Sequence, residues 1–263
     1  MNAQHISNLK VKSGFRAQLR DFWRFVRKPD LGPRLPNRVA GTGLIADWLS
    51  LPPRWSILQW AGLLWVLNLV VFGPIAVAAA TAVGAEHRLN LQAIPWLQAL
   101  LWAPIVEELV FRYVLRRFSH VFWLLPIAVV ALLSGPTLSA QFGVVALLVC
   151  CWAPLIVPSW RLTSSRVFQA VGFLRGYRRV FPWGVHGSCI AFAAIHLHNF
   201  HLLSTQWWIL PWLVLPQWAT GLVLAWMRVR VGIGASMLMH AIFNAGPLFL
   251  VWLFVTLAPE IAF

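Results

Sequence analysis

Long apolar stretches dominate the chain from residue 56 to its end, and most charged side chains lie in the segments between them. Several stretches approach the roughly 20 residues that an α-helix needs to cross a bilayer. We therefore predict an all-α fold, a polytopic bundle of about seven transmembrane helices, within a range of six to eight. The predicted spans are residues 56–82, 92–118, 121–134, 139–159, 183–203, 207–228 and 233–256. The third is short and contains Pro126, which favours a tilted or re-entrant segment.

Residues 1–55 differ from the rest of the chain and form a basic N-terminal region ahead of the transmembrane domain, residues 56–263. Apolar side chains repeat here at helical spacing, namely Phe15, Leu19, Phe22 and Val26. Arginines line another side of the same helix, namely Arg16, Arg20, Arg24 and Arg27. This pattern predicts a basic amphipathic helix lying on an anionic membrane surface, with a plain solvated arm as the alternative.

Composition narrows the class of protein. The chain is 60% hydrophobic and 11% charged, whereas soluble domains carry about 25% charged residues. The net charge of +14 is concentrated in the N-terminal region and in loops between spans, which argues for a bilayer and against nucleic acid as the partner. Cys150, Cys151 and Cys189 lie in apolar segments without a C-x-x-C pair, so we interpret them as packing residues.

The basic residues also predict an orientation. If residues 1–55 are cytoplasmic, seven spans place Arg116 and Arg117, the arginine-rich loop 161–180, and Arg228 and Arg230 on the inside. Only Arg88 then falls outside. This distribution follows the tendency of cytoplasmic loops to carry Lys and Arg.

Of the seven acidic residues, only Glu107 and Glu108 lie within a predicted span, and Arg112 follows in the same helix. A charge at the middle of a bilayer costs at least about 2.5 kcal/mol, so such residues face protein or a watery cavity. Glu108 and Arg112 are spaced i, i+4 and can pair on one helix face. Glu107 points about 100° away, and its carboxylate is therefore the one available as a proton acceptor.

Two later spans supply further polar groups. The fifth contains His196, His198 and Asn199, and the seventh contains His240 and Asn244, again at i, i+4 spacing. We expect these groups to converge on Glu107 inside the bundle. Histidines within a bundle also form purely structural hydrogen bonds between helices, and for His198 the two interpretations are equally supported.

At this point the residues resemble a family. Glu107-Glu108-Leu-Val-Phe-Arg112 matches the E-E-x-x-x-R motif of the CPBP family, which comprises CAAX proteases and bacteriocin-processing enzymes. Phe192 to His196 matches its F-x-x-x-H motif, and His240 to Asn244 its H-x-x-x-N motif. The three motifs occur in the family's order over roughly residues 92–250. The amino acids of the first motif, Glu107-Glu108-Leu-Val-Phe-Arg112, are similar to those found in the type II CAAX prenyl endopeptidases.

The resemblance implies a multi-pass intramembrane endopeptidase that cleaves a membrane protein or lipidated peptide at a site opening toward the cytoplasm. The resemblance further implies that Glu107 activates water with help from His196, and that His240 and Asn244 stabilise the oxyanion. Glu108, Arg112, Phe192 and His198 would support them. We expect no cofactor, with zinc held by Glu107, His196 and His240 as the less favoured alternative, because H-E-x-x-H is absent.

Three other functions fit parts of the pattern. A transporter or a non-catalytic peptide-binding protein also holds buried charges, but no paired, Gly-broken half-helices are evident. A serine protease using Ser236 and His240 leaves the acidic residues without a role. The substrate and the oligomeric state are not encoded in any motif.

Overall fold

The computed structural model describes residues 14–35, 43–52, 55–89, 93–156, 171–202 and 206–257. Two short helices come first, α1 (Phe15–Arg27) and α2 (Gly43–Leu49). The first long apolar helix, α3, runs over Ser56–Val83 and includes a π-helical turn at Asn68–Phe72. It ends at Gly84, whose φ of 62° is the left-handed conformation that favours glycine at this position.

The remaining helices follow in chain order. A π-helical turn, Gln98–Trp102, leads into α4 (Ala103–Phe111), and short 3₁₀ turns at Tyr113–Leu115 and Phe118–His120 connect it to α5. The others are α5 (Val121–Ser134), α6 (Leu138–Ile156), α7 (Val171–Ile195), α8 (Leu210–Leu213), α9 (Leu215–Arg230) and α10 (Ile233–Leu257). The protein is therefore predominantly helical, as predicted.

By length and hydropathy, three helices of the described chain are suited to crossing a membrane: Ser56–Val83, Gly176–Asn199 and Ile233–Leu257. The apolar helices Phe118–Ser134 and Leu138–Ala153 are shorter. The number of seven spans stays a prediction. Three predicted spans differ from the structure. Helix α7 begins at Val171, inside the predicted loop 161–180, and the predicted span 92–118 is broken into a π turn, α4 and a 3₁₀ turn. The predicted span 207–228 is divided into α8 and α9.

Helix α9 forms the centre of the bundle, since every residue from 220 to 230 is buried. It packs between α7 and α10 and also contacts α1. Large apolar side chains cover the outside instead: Leu97 is 80% exposed and Trp183 80%. An apolar exterior, with buried charged side chains such as Glu108, Arg112 and Arg228 inside, is the arrangement expected of a protein whose helices face lipid.

Helix α1 does not depend on lipid to cover its apolar side. Phe25 is completely buried, and the Phe15 and Phe22 rings lie 5.4 and 5.2 Å from the ring of Trp60 on α3. The helix predicted to lie on a membrane surface is thus docked through its apolar side onto protein. Whether its other side contacts a membrane stays a prediction.

The two ends of the bundle carry different structures. At one end, Arg116 donates a hydrogen bond of 2.6 Å to the Gly32 carbonyl, and Tyr177 donates one of 2.9 Å to the Leu115 carbonyl. At the other end, after α3, the two-residue strand Glu86–His87 pairs antiparallel with Phe200–His201, which follows α7. The ends of α3 and α7 are thereby joined.

Candidate active site

Helix α4 places two adjacent glutamates in the interior of the bundle. Its residues from Val106 to Phe111 are buried, and Pro104 lies in its first turn, after the π-helical turn. The helix ends at Phe111, and the backbone carbonyl of the next residue, Arg112, accepts a hydrogen bond of 3.1 Å from Nε of Arg228 on α9. The position of α4 is thus fixed at its C-terminal end by a buried arginine from the neighbouring helix.

Glu108 has a partner at each carboxylate oxygen. Its Oε1 accepts a hydrogen bond of 3.1 Å from Nη1 of Arg112, which confirms the predicted i, i+4 pair. The same oxygen lies 3.1 Å from Nδ1 of His240, and Oε2 is hydrogen-bonded to the Ser236 hydroxyl. Both Glu108 and Arg112 are completely buried. Such a carboxylate links α4 to α10 and has no oxygen left for other chemistry.

Glu107 is in the opposite situation. Its Oε2 is buried and has no hydrogen-bond partner within the described part of the chain. It faces the Nε2 atoms of two histidines from different helices, that of His240 at 3.7 Å and that of His196 at 4.0 Å. The side chains of Glu107 and His196 keep 11% and 17% of their surface exposed, whereas Oε2 of Glu107 itself is buried.

The hydrogen bond of His196 defines which of its nitrogens carries the proton. Helix α7 ends at Ile195, and His196 begins a 3₁₀ turn. Its Nδ1 lies 2.7 Å from the carbonyl oxygen of Phe192. A carbonyl only accepts, so Nδ1 must donate, and Nε2 of the neutral ring is left as an acceptor facing Glu107.

His240 follows the same rule with a different partner. Its Nδ1 donates to the Glu108 carboxylate, which leaves Nε2 as an acceptor in the neutral ring. To donate from Nε2 as well, toward a developing oxyanion, the ring must carry a second proton. The imidazole lies between two carboxylates and is 2% exposed, so its orientation is fixed.

Phe192 lies at the centre of the cluster. The guanidinium carbon of Arg112 is 3.7 Å from its ring centroid, a cation–π contact, and the rings of His196 and His240 lie 4.7 and 5.6 Å away. Gly221 on α9 leaves room for this packing, because a Cβ there would be 3.2 Å from both Arg112 Nη2 and Phe192 Cδ1.

Two predicted residues are placed apart from this group. Asn244 lies one turn beyond His240 on α10, but its Nδ2 donates a hydrogen bond of 2.9 Å to the carbonyl of Ala99 in the π-helical turn. One of the two protons on Nδ2 is left for another acceptor. His198 is exposed on the 3₁₀ turn, and within the described residues it forms no hydrogen bond or ion pair with the cluster.

Ser236 is a member of the cluster that the motifs did not assign. It lies one turn before His240 on the same face of α10, and this spacing was the available signal. Its hydroxyl is fully buried and faces both Glu108 and the Leu224 carbonyl, 2.9 Å away. A hydroxyl held in this way serves as support for Glu108, which speaks against the alternative of a serine nucleophile.

The cluster therefore contains the Glu107 carboxylate, whose Oε2 has no hydrogen-bond partner within the described residues, and the acceptor nitrogens of His196 and His240 beside it. The amide donor of Asn244 lies one turn beyond His240 on α10. Glu107, His196 and His240 are residues of the kinds that bind zinc, but no group of three His, Cys, Asp or Glu side chains in the described ranges is arranged to hold a metal ion. The arrangement provides the groups for general-base activation of water.

Comparison with known proteins bears on the part of the transmembrane domain that contains the cluster. The sequence model of one family, described as type II CAAX prenyl endopeptidase Rce1-like, matches residues 89–246, more than half of the chain. The match includes Glu107, His196, His240 and Asn244 and ends before the last part of α10. No curated protein and no solved structure matches the chain. The chain belongs to the Rce1-like family of type II CAAX prenyl endopeptidases, a family of membrane proteases.

Proposed function

We propose that this protein is an intramembrane endopeptidase in which Glu107 activates a water molecule for attack on a peptide bond of a membrane-associated substrate. The observation that carries the proposal is the buried Oε2 of Glu107, which has no hydrogen-bond partner among the described residues and faces two imidazole nitrogens. A buried polar atom without a partner is costly, which is why such atoms mark functional positions.

The separation between Glu107 and His196 fits a water between them. At 4.0 Å, Oε2 and Nε2 are too far apart for a direct hydrogen bond. One water can bridge this distance through two hydrogen bonds of about 2.8 Å. Both atoms are acceptors, so the water would donate one proton to each and present its oxygen lone pairs to a substrate carbonyl. Glu107 then takes a proton as the new C–O bond forms.

Stabilisation of the oxyanion falls to His240 and Asn244 in this proposal. Asn244 has one amide proton beyond its bond to Ala99, and His240 can donate from Nε2 once it is doubly protonated. Donors held in place before the reaction stabilise the developing charge without reorganisation. Glu108 contributes indirectly, by orienting His240 through Nδ1.

The family assignment suggests the class of substrate. We expect cleavage after a prenylated cysteine near the C-terminus of a protein, which releases a short peptide. The position of the site supports access from the cytoplasm. Glu107 lies five residues before Arg112, about 7.5 Å along the helix, at the end of the bundle that gathers the arginines. Positive residues favour the cytoplasmic side.

The proposal is tested by peptide release from a farnesylated C-terminal peptide in proteoliposomes. Glu107→Gln keeps the size of the side chain and removes the proton acceptor, so the rate should fall by about 10²–10⁴ while the protein remains folded. Glu86→Gln is the matched control, because this exposed glutamate lies in the strand after α3, outside the cluster, and it should leave the rate unchanged.

Comparison with Glu108→Gln separates the two adjacent carboxylates. This variant removes the counter-charge of the buried Arg112, so its main effect should be a lower melting temperature. Assays at equal amounts of folded protein decide the assignment. Normal turnover by Glu107→Gln, combined with an inactive Glu108→Gln, would reverse it, and normal turnover by both would refute the proposed mechanism.

A further inference from the structure

The outward side of α1 carries a dense row of basic residues. Its apolar side is packed on Trp60 of α3 and Trp226 of α9, so the opposite side of the helix is exposed. Five basic side chains are exposed there, namely Arg16, Arg20, Arg24, Arg27 and Lys28. Arg20, Arg24 and Arg27 follow each other at i, i+4 and i+7 and so form one stripe.

This stripe forms a concave surface with an aromatic residue in it. Arg20, Trp23, Arg24, Arg27 and Lys28 line a groove of about 520 Å³. The Trp23 side chain is 58% exposed, although a tryptophan buried against protein would be more usual in a folded domain. We call these five residues the basic groove.

Acidic residues do little to neutralise the groove. Asp21 is directed toward the protein, where its Oδ2 accepts hydrogen bonds of 2.9 Å from Trp226 and from Arg230. Its other oxygen pairs with Arg24. Arg20, Arg27 and Lys28 have no acidic partner within the described part of the chain. The groove thus keeps a positive field that a negatively charged ligand can satisfy.

The position of α1 indicates which ligand that is. Trp60 is the fifth residue of the apolar helix Ser56–Val83, and Trp226 and Arg230 lie in the last turns of α9. Helix α1 therefore lies at the level where the apolar helices end, which is the depth of lipid headgroups. Exposed tryptophan beside arginine and lysine is typical of this interface.

We infer that the basic groove binds the phosphate headgroups of anionic phospholipids. The arginines and Lys28 pair with the phosphates, and Trp23 inserts at the boundary between headgroups and acyl chains. This inference concerns a surface outside the region matched by the family, and it does not depend on the proposed peptidase activity.

Native mass spectrometry of the full-length, detergent-purified protein tests the site, with phosphatidylglycerol titrated against phosphatidylcholine. Arg20→Gln/Arg27→Gln should weaken phosphatidylglycerol binding about 30-fold, because each basic residue near a membrane surface contributes about 1 kcal/mol. Phosphatidylcholine binding should not change. The matched control is Arg178→Gln/Arg179→Gln, which removes two exposed arginines from α7 and should retain the affinity of the native protein.

Three outcomes would overturn the inference. Equal loss in both double variants would mean that only the total charge of the protein matters. Undiminished binding in Arg20→Gln/Arg27→Gln would mean that the lipid binds elsewhere. If polyglutamate or inorganic phosphate displaced the lipid at comparable charge concentration, the groove would be a site for an acidic peptide or a free anion. Trp23→Ala provides an independent arm and should weaken the binding of lipid but not of inorganic phosphate.

Discussion

The carboxylates of Glu107 and Glu108 point about 100° apart around α4, so they meet different neighbours. Glu108 meets Arg112, His240 and Ser236 and is fully hydrogen-bonded. Oε2 of Glu107 faces the acceptor nitrogens of His196 and His240 and has no hydrogen-bond partner in the part of the chain that the structure describes. A carboxylate with all its hydrogen bonds made is a structural element, whereas one that faces acceptors across a gap of 3.7–4.0 Å can take up a proton from a bound water.

Whether peptide release requires zinc also depends on the spacing of individual side chains, those of Glu107 and the two histidines. Ligand atoms bound to tetrahedral zinc lie about 3.4 Å apart, because each is 2.0–2.2 Å from the ion. Oε2 of Glu107 is 3.7 and 4.0 Å from the two histidine nitrogens, so both distances exceed this spacing, and no group of three His, Cys, Asp or Glu side chains in the described part of the chain is arranged to hold a metal ion. We therefore expect peptide release to change less than about twofold after exhaustive treatment with a zinc chelator. A zinc metalloprotease treated in parallel is the control. Activity lost to the chelator and restored by zinc would make Glu107 and the histidines metal ligands.

Spacing within one helix could be interpreted from the sequence, but relations between helices could not. The Glu108–Arg112 pair follows from i, i+4 spacing and is present. The rotation of α10 relative to α4 brings Ser236 onto Glu108 and turns Asn244 toward Ala99, and no local pattern determines that rotation. His198 is two residues from His196, yet the change from α7 to a 3₁₀ turn leaves it exposed.

At the scale of helices, the end of α9 is held by the N-terminal region. Arg228 is completely buried and pairs with Asp47 of α2 at 2.6 Å. The same guanidinium donates to the carbonyls of Arg112 and Tyr113 at 3.1 and 3.0 Å, so α2, α4 and α9 meet at one side chain. The sequence placed these charges in separate segments, and only the tertiary structure joins them.

Loss of Asp47 should therefore destabilise the whole bundle. Asp47→Asn leaves Arg228 buried without its counter-charge, for which we expect a loss of about 3–5 kcal/mol, measured by thermal unfolding in detergent at pH 7. Asp30→Asn is the control, because Asp30 is 54% exposed and its partner Arg230 keeps a second ion pair with Asp21, so the loss should be at most about 1 kcal/mol. Equal, small effects of the two substitutions would contradict this view of α9.

The pH dependence of the same ion pair follows from its surroundings. Burial by itself would raise the pKa of Asp47, but the guanidinium groups of Arg228 and Arg34 lower it to about 2. The pKa in the folded state is thus below the ordinary value of about 3.9 in the unfolded chain. The contribution to stability is complete above about pH 5 and is lost as the pH falls through 4 toward 2. The difference between native protein and Asp47→Asn should accordingly be constant from pH 5 to pH 8.

At the scale of the molecule, the structure gathers the basic residues at one end. Arg116 contacts the Gly32 carbonyl, Arg228 contacts Asp47, and Arg230 contacts Asp21 and Asp30. The other end, about 40 Å away along the 28 residues of α3, carries the pair of short strands that contains Glu86 and His201. The loops that the sequence assigned to one side by their charge therefore belong to one end of the bundle wherever they are described.

This asymmetry predicts the orientation in the membrane. Positive residues favour the cytoplasmic side, so the end with Arg116 and Arg228 should be cytoplasmic and the strand end external. With the three native cysteines replaced, a single cysteine at Arg88 should react in intact cells with a maleimide that does not cross membranes. Single cysteines at Arg178, or at Ser164 and Ser165 outside the described residues, should react only after permeabilisation. Arg88→Cys and Arg178→Cys both replace exposed arginines, so their reactivity can be compared directly. Labelling of Arg178→Cys in intact cells, without labelling of Arg88→Cys, would invert the orientation and place Glu107 nearer the external side.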